Sequence, residues 1–301
     1  MQHDHHGEDH DRGLAHDLKV MAAMVGRRRA MKWFTGAGTA AVIAGCSGSG
    51  TSSSGTTVVA GSSATATPTS TATPTPTPTA TTSGSCIADP TETAGPYPAD
   101  GTNSASGSTN NVLTVSGIQR SDIRPSFISS STVATGVQVV ITLTLVNVNA
   151  TCAPLAGYAV YLWHCDRSGL YSLYSAPTES YLRGVQVTDA NGQVTFTTMF
   201  PACYSGRWPH MHFEIFSSLS TATSGGFSVL TSQLAMPTAL CNTIFADTTT
   251  YPTSKTNFAA ISLSSDNVFS DNSSAQIAQQ TPTFTAATTG YTATALIGIA
   301  R

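Results

Sequence analysis

A chain of 301 residues with a formal net charge of −3 and only 10% charged residues lacks the basic excess of a nucleic-acid binder. From Ser47 onward it carries seven Lys plus Arg against eleven Asp plus Glu, with Lys255 the one lysine. The length suffices for one domain with a sizeable core, once the two N-terminal segments described next are set aside.

Residues 1–46 read as an export signal. Arg27-Arg28-Arg29 and Lys32 precede a modestly apolar stretch from Trp33 to Ala44. That stretch is too short for a permanent span and has the form of a signal h-region. The arginines fit a twin-arginine signal, which exports folded proteins. Ile43-Ala44-Gly45-Cys46 resembles a lipobox, so Cys46 is the expected acylation site. Acyl chains would hold the mature protein on the outer side of the cytoplasmic membrane without a transmembrane segment. The alternative is cleavage nearby and a secreted protein. The histidines from His3 to His10 could bind metal, but a long polar n-region is the simpler reading.

Residues 47–85 are almost entirely Ser, Thr, Gly, Ala and Pro, with the run Thr73-Pro-Thr-Pro-Thr-Pro-Thr-Ala80. Nothing there can bury a core, and a disordered, extended stalk is expected. Residues 86–301 then form the globular part.

Its patterning is β. Val139, Ile141, Leu143 and Leu145 alternate with Gln138, Val140, Thr142 and Thr144. Ala159 to His164 predicts a strand after the turn residues Pro154 and Gly157. Gln186 to Thr188 and Gln193 to Thr197 flank Asp189-Ala-Asn-Gly192, a hairpin signal. His210 to Phe216 alternates again, and Tyr291 to Ile299 closes the chain. Ser274 to Gln280 could form a turn or a short helix. The expectation is an all-β fold, a β-sandwich of mainly antiparallel strands.

Five cysteines follow Cys46, and an exported protein permits disulfides. Cys86 with Cys152 and Cys203 with Cys241 are the expected pairs, which leaves Cys165 a buried thiol beside Trp163. No close Cys spacing suggests a thiolate metal site.

Only three histidines lie beyond the leader: His164, His210 and His212. On a strand, residues two apart share a face, so His210 and His212 can meet one metal ion. Tyr204 lies six residues earlier across a Gly-containing loop, and Tyr171 lies at a strand end followed by a turn, where functional side chains are often displayed. Two imidazoles and two phenolates suit ferric iron, which is acidic enough to deprotonate a phenol, better than zinc. His164 and Asp166 read as structural residues, and Arg183 as a loop-fixing one. Glu92 could cap a turn or bound the pocket.

Three stretches carry a family resemblance: Tyr158-Ala-Val-Tyr-Leu-Trp-His-Cys-Asp-Arg-Ser-Gly-Leu-Tyr-Ser172, Leu182-Arg-Gly-Val-Gln-Val-Thr-Asp-Ala-Asn-Gly-Gln-Val-Thr-Phe196 and Phe200-Pro-Ala-Cys-Tyr-Ser-Gly-Arg-Trp-Pro-His-Met-His-Phe213. With Glu92-Thr-Ala-Gly-Pro-Tyr97 and Arg120-Ser-Asp-Ile123, the ordered set resembles the intradiol ring-cleavage dioxygenases over roughly residues 86–240. The chain looks like the exported, single-domain branch, because it lacks the helical N-terminal dimerisation region of the cytoplasmic members. Its oligomeric state stays open.

The resemblance implies non-haem Fe(III) held by Tyr171, Tyr204, His210 and His212. It puts the active-site arginine at Arg207 and a nearby glutamine at Gln233. It implies a catechol-type aromatic substrate and O2 as partners, with the ring opened between its two hydroxyl-bearing carbons to a cis,cis-muconate-type product. Tyr204 would leave the metal as substrate binds and act as a base, while Arg207 would stabilise developing negative charge. Leu170, Trp208 and the region around Tyr97 are candidate pocket walls. Two alternatives stand beside this: a stalked binding or adhesion module of the same fold without turnover, and a copper His-x-His protein.

Overall fold

The computed structural model describes residues 86–301. The expected signal (1–46), its Cys46 and the stalk (47–85) lie outside the described residues.

Strand β1 (Gln138–Asn147) organises the first sheet. Its alternating apolar residues Val139, Ile141, Leu143 and Leu145 are all completely buried, as a half-buried strand requires. On one edge β1 pairs antiparallel with β5 (Gln193–Met199) and with the short β2 (Ala153–Pro154). On the other it runs parallel to β9 (Tyr291–Ile299), which pairs antiparallel with β8 (Thr283–Ala286). The second sheet has the order β4 (Arg183–Val187), β3 (Ala159–Trp163), β6 (His210–Phe216), β7 (Leu230–Ala235), antiparallel throughout. Ile141 and Leu143 from the first sheet share one core with Val160, Leu162, Phe213 and Ile215 from the second.

The β-rich architecture is as expected, with two differences. The first sheet is mixed, because β9 returns beside β1 in the same direction, which requires a long crossover. Four short helices lie within that crossover: α1 (Leu219–Thr223), α2 (Thr238–Ile244), α3 (Ser254–Ala259) and α4 (Ser274–Gln280). Helix α4 begins with a capping box between Ser273 and Gln276, the S-x-x-Q pattern that ends one backbone path and starts another. No helix among the described residues is long and apolar enough to cross a membrane.

The Asp189–Gly192 turn forms as read. Gly192 N–H donates to Asp189 O at 3.0 Å, and the Asp189 carboxylate accepts from Asn191 and Gln193 N–H. It does not close a hairpin. Its flanking strands β4 and β5 lie in different sheets, so the turn is the corner between them. Turn chemistry fixes the reversal but not which sheet receives the next strand.

Cys86 and Cys152 are bridged, tying the start of the described chain to the end of β1. The expected Cys203–Cys241 bridge is absent: both are free and buried, like Cys165. The Cys203 thiol donates instead to Arg207 O at 3.4 Å. Burial pushes it up to about 12 and pushes Cys241 up as well, as expected of enclosed neutral thiols.

Asp89 fastens the N-terminal strap to β9. Its Oδ2 accepts from Gly298 N–H (2.7 Å) and Gln279 Nε2 (2.6 Å), while Oδ1 is buried without a partner. Burial raises its carboxyl to about 6, outweighing the bonds from Gln279 and Gly298. The raised value means that the folded state holds the proton more tightly than the unfolded state. The contribution is therefore complete below about pH 4, where both states are protonated, and is lost as pH rises through about 6. We expect Asp89→Asn to match the native protein near pH 4 and to exceed it at pH 7 by an amount on the order of 2–3 kcal/mol. Thermal melts of both proteins across this range test it, and parallel pH curves would refute it.

Candidate metal centre

The site grows from the first residues of β6. Alternation along the strand puts His210 and His212 on one face. The register sets His212 opposite Trp163 on β3 and Gln233 on β7. The His212 ring stacks on Trp163 with centroids 4.9 Å apart and planes 7° from parallel. His210 Nδ1 lies 2.5 Å from Trp208 O, so that nitrogen carries the proton and Nε2 presents a lone pair.

The two tyrosines come from loops. Tyr171 follows β3, and its N–H donates to Ser175 Oγ (2.7 Å) while its carbonyl accepts from Ala176 N–H (2.9 Å), closing a tight turn. Tyr204 lies between β5 and β6. The residue before it is pinned to α3: Cys203 N–H donates to Ser254 Oγ and Cys203 O accepts from Asn257 Nδ2. Gly169 makes room for it, because a Cβ there would sit 3.0 Å from Tyr204 Cβ and its φ is +85°.

All four donor atoms converge. His210 Nε2 is 3.1 Å from His212 Nε2, 3.4 Å from Tyr171 Oη and 3.2 Å from Tyr204 Oη, and His212 Nε2 is 3.3 Å from Tyr171 Oη. Ligands about 2.0–2.1 Å from one ion at ordinary coordination angles are about 2.9–3.4 Å apart. Two phenol protons can serve the two Nε2 lone pairs one each, but they leave the two nitrogens facing each other at 3.1 Å, an approach that one shared cation would relieve. Burial holds both imidazoles well below their ordinary pKa and the Tyr171 phenol well above its own. Tyr171 and the two imidazoles thus favour their neutral forms, and a cation would reverse the balance at Tyr171. Among the described residues no group of three or more His, Cys, Asp or Glu is gathered for a metal, so the donor set of this site is mixed imidazole and phenol.

Arg207 is completely enclosed, 1% exposed. Its Nε donates to Asp266 Oδ2 at 3.0 Å and its Nη2 to Gln233 Oε1 at 2.7 Å, while Nη1 is buried with no protein partner. Burial disfavours the charged guanidinium, but Tyr204 and Asp266 more than offset it and hold Arg207 above its ordinary value. Its positive charge in turn depresses both histidines and favours the Tyr171 phenolate.

A strap from Glu92 to Tyr97 covers the ring cluster. Gln233 Nε2 donates to Thr93 O at 2.9 Å. Gly95 has φ +70°, and a Cβ there would lie 3.2 Å from His212 Cε1. The Tyr97 ring packs 4.8 Å from that of Tyr171. Arg183 holds the strap through the carbonyls of Tyr97 (2.9 Å) and Pro98 (3.0 Å), the loop-fixing part read for it. Glu92 accepts from Asn272 Nδ2 at 2.8 Å and so fastens the strap to the C-terminal segment.

The other candidates separate clearly. His164 bonds Cys165 O and Thr198 Oγ1, burial lowers it to about 4, and it is structural. Asp166 Oδ1 closes the turn through Ser168 and Leu170 N–H. Trp208 turns away from the rings into a separate cluster with Ala235, Val268 and Phe269, so it is no pocket wall. Leu170 is 37% exposed beside Tyr171. Sequence reasoning missed Asp266, and its signal was faint: an acid before Val268 and Phe269 in a Ser-rich stretch.

Comparison with known proteins follows the same lines. Residues 131–235, which contain Tyr171, Tyr204, His210 and His212 with Arg207 and Gln233, match the family model described as Dioxygenase. An intradiol ring-cleavage dioxygenase from Tetranychus urticae has the same fold at 24% identity, covering 71% of this chain and 95% of that chain with a TM-score of 0.52. A second solved dioxygenase is 25% identical over the same shares, 71% and 95%, with a TM-score of 0.50. The 3-chlorocatechol 1,2-dioxygenase from Rhodococcus opacus 1CP is 17% identical, with coverage of 71% and 73% and a TM-score of 0.42. No curated protein matches the chain. The resemblance to intradiol ring-cleavage dioxygenases is thus borne out by a family model and by the fold.

Proposed function

We propose that this protein is a non-haem Fe(III) intradiol dioxygenase that opens a catechol-type ring with O2 to a cis,cis-muconate-type product. The observation that carries the reading is the convergence of two imidazole nitrogens and two phenol oxygens within 3.1–3.4 Å, beside an arginine whose Nη1 has no protein partner. Tyr171, Tyr204, His210 and His212 would hold the iron. The chemistry that ferric iron would supply there is Lewis acidity toward a catecholate.

The chain's own residues do the rest. Tyr171, His210 and His212 are buried and fixed, while Tyr204 is half-buried and faces the more accessible side. Tyr204 is therefore the phenol with most room to move as substrate enters, and its phenolate would take a catechol proton at Oη. Arg207 Nη1 offers a preorganised positive charge to the ring as it becomes more anionic. Gln233 holds Nη2 and the Thr93 carbonyl together, keeping arginine and strap in step. Tyr97 and Gly95 line the approach and limit water at the rings.

Oxygen uptake by iron-loaded protein over a panel of catechols, with product spectra, tests the reading. A red-brown protein that forms muconates is expected. A colourless protein holding stoichiometric copper and no iron would sink it in favour of the copper alternative.

Export and acylation complete the proposal: an enzyme anchored through Cys46 on the outer side of the cytoplasmic membrane, held there by lipid alone. We expect Cys46→Ser to move the protein from the membrane fraction to the soluble fraction with its turnover intact. An unchanged distribution between fractions would refute the anchor.

A further inference from the structure

Asp266 lies 59 residues beyond Arg207 and outside the stretch matched by the family model, yet it reaches into the site. We propose that Asp266 is a positioning residue for Arg207, fixing the guanidinium in the orientation that leaves Nη1 for negative charge on the bound ring. What Nη1 meets rests on the dioxygenase reading; the geometry that fixes it does not.

The Arg207–Asp266 pair is sealed from water, with side-chain exposures of 1% and 0%. Asp266 has no freedom to turn. Its Oδ2 accepts from Arg207 Nε and from Trp208 N–H at 2.7 Å, and its Oδ1 accepts from Val268 N–H at 2.8 Å and Phe269 N–H at 3.1 Å. Arg207 is held at two points of its planar fork, Nε by Asp266 and Nη2 by Gln233. Two fixed corners of a rigid plane fix the third, so the free Nη1 is aimed without any bond of its own. An ion pair with no outlet to water is a weak route to stability, because an apolar pair of similar volume often does as well. Orientation is the property that such an apolar pair would not supply.

Asparagine at 266 cannot repeat the pattern. Its single oxygen serves one pair of N–H donors, and its amide N–H groups then face the other pair. We expect Asp266→Asn to lower kcat about 10- to 100-fold with a smaller change in KM, the size seen when a supporting partner of a site residue is removed. In an Arg207→Ala background the same change should cost less than about 2-fold, since the residue it orients is gone. An equal loss in both backgrounds would overturn the proposal.

A second measurement needs neither variant nor turnover. In full-length metal-free protein, the Arg207 side-chain Nε–H resonance should be resolved and protected from solvent exchange. Rapid exchange there would overturn the proposal even if the variant fails to fold. Wild-type protein that opens no catechol would count against the dioxygenase reading, and the Nε–H resonance would still decide the role of Asp266.

Discussion

Tyr171→Phe should give a folded protein that loses its iron colour, its catechol ring opening, or both. The exchange removes one oxygen and conserves volume, so its effect on stability should stay under about 1.5 kcal/mol. The oxygen it removes lies 3.4 Å from His210 Nε2 and 3.3 Å from His212 Nε2, at the centre of the cluster. Tyr171 is 1% exposed, so solvent has little access to the place of the missing oxygen. A ferric ion would be left with one phenolate instead of two. Outer-shell partners of metal ligands are worth about 10- to 100-fold, so loss of a direct ligand should cost at least on the order of 100-fold. Visible absorption, oxygen uptake and a thermal melt of the variant check this together. Retention of both the absorption band and turnover would remove Tyr171 from the ligand set.

Arg207→Ala should be nearly as severe for turnover and worse for stability. Removing one preorganised donor to developing negative charge costs about 100- to 1,000-fold in kcat. It also strands the Asp266 carboxylate in a site with 0% exposure, and breaking a buried pair from one side costs about 3–5 kcal/mol. Arg207→Lys should not restore activity. An ammonium is a point charge and cannot bond Asp266 and Gln233 while keeping a third N–H free in a fixed plane. Steady-state kinetics and melting curves for the two variants test this. A lysine variant with native kcat/KM would show that charge alone suffices.

The ring cluster was legible in the sequence because short-range rules set most of it. Alternation along β6 puts His210 and His212 on one face, and the glycine-containing loop after Tyr204 lets its ring fold back. The resemblance supplied Arg207 and Gln233, and the β6–β7 register brings Gln233 level with His212. What could not be read is what distant chain brings. Asp266 and Asn272 act on Arg207 and Glu92 across long sequence gaps, and no local pattern marks either as a partner. The parallel pairing of β1 with β9 was hidden for the same reason. Cys203 and Cys241 were an expected pair that no local pattern could test. In the fold, burial and a hydrogen bond to Arg207 O keep the Cys203 thiol as a thiol.

The N-terminal strap has a mechanical consequence. Within it, Cys86 is bridged to Cys152, Asp89 is bonded to Gly298, and only then does Gly95 reach His212. Tension applied at residue 86 meets a covalent link and then a backbone hydrogen bond to β9 before it arrives at the rings. Pulling on the start of the described chain therefore strains the first sheet, while the part of the strap that faces the rings is shielded. Reduction of the Cys86–Cys152 bridge would remove that shield and pass the pull on toward His212.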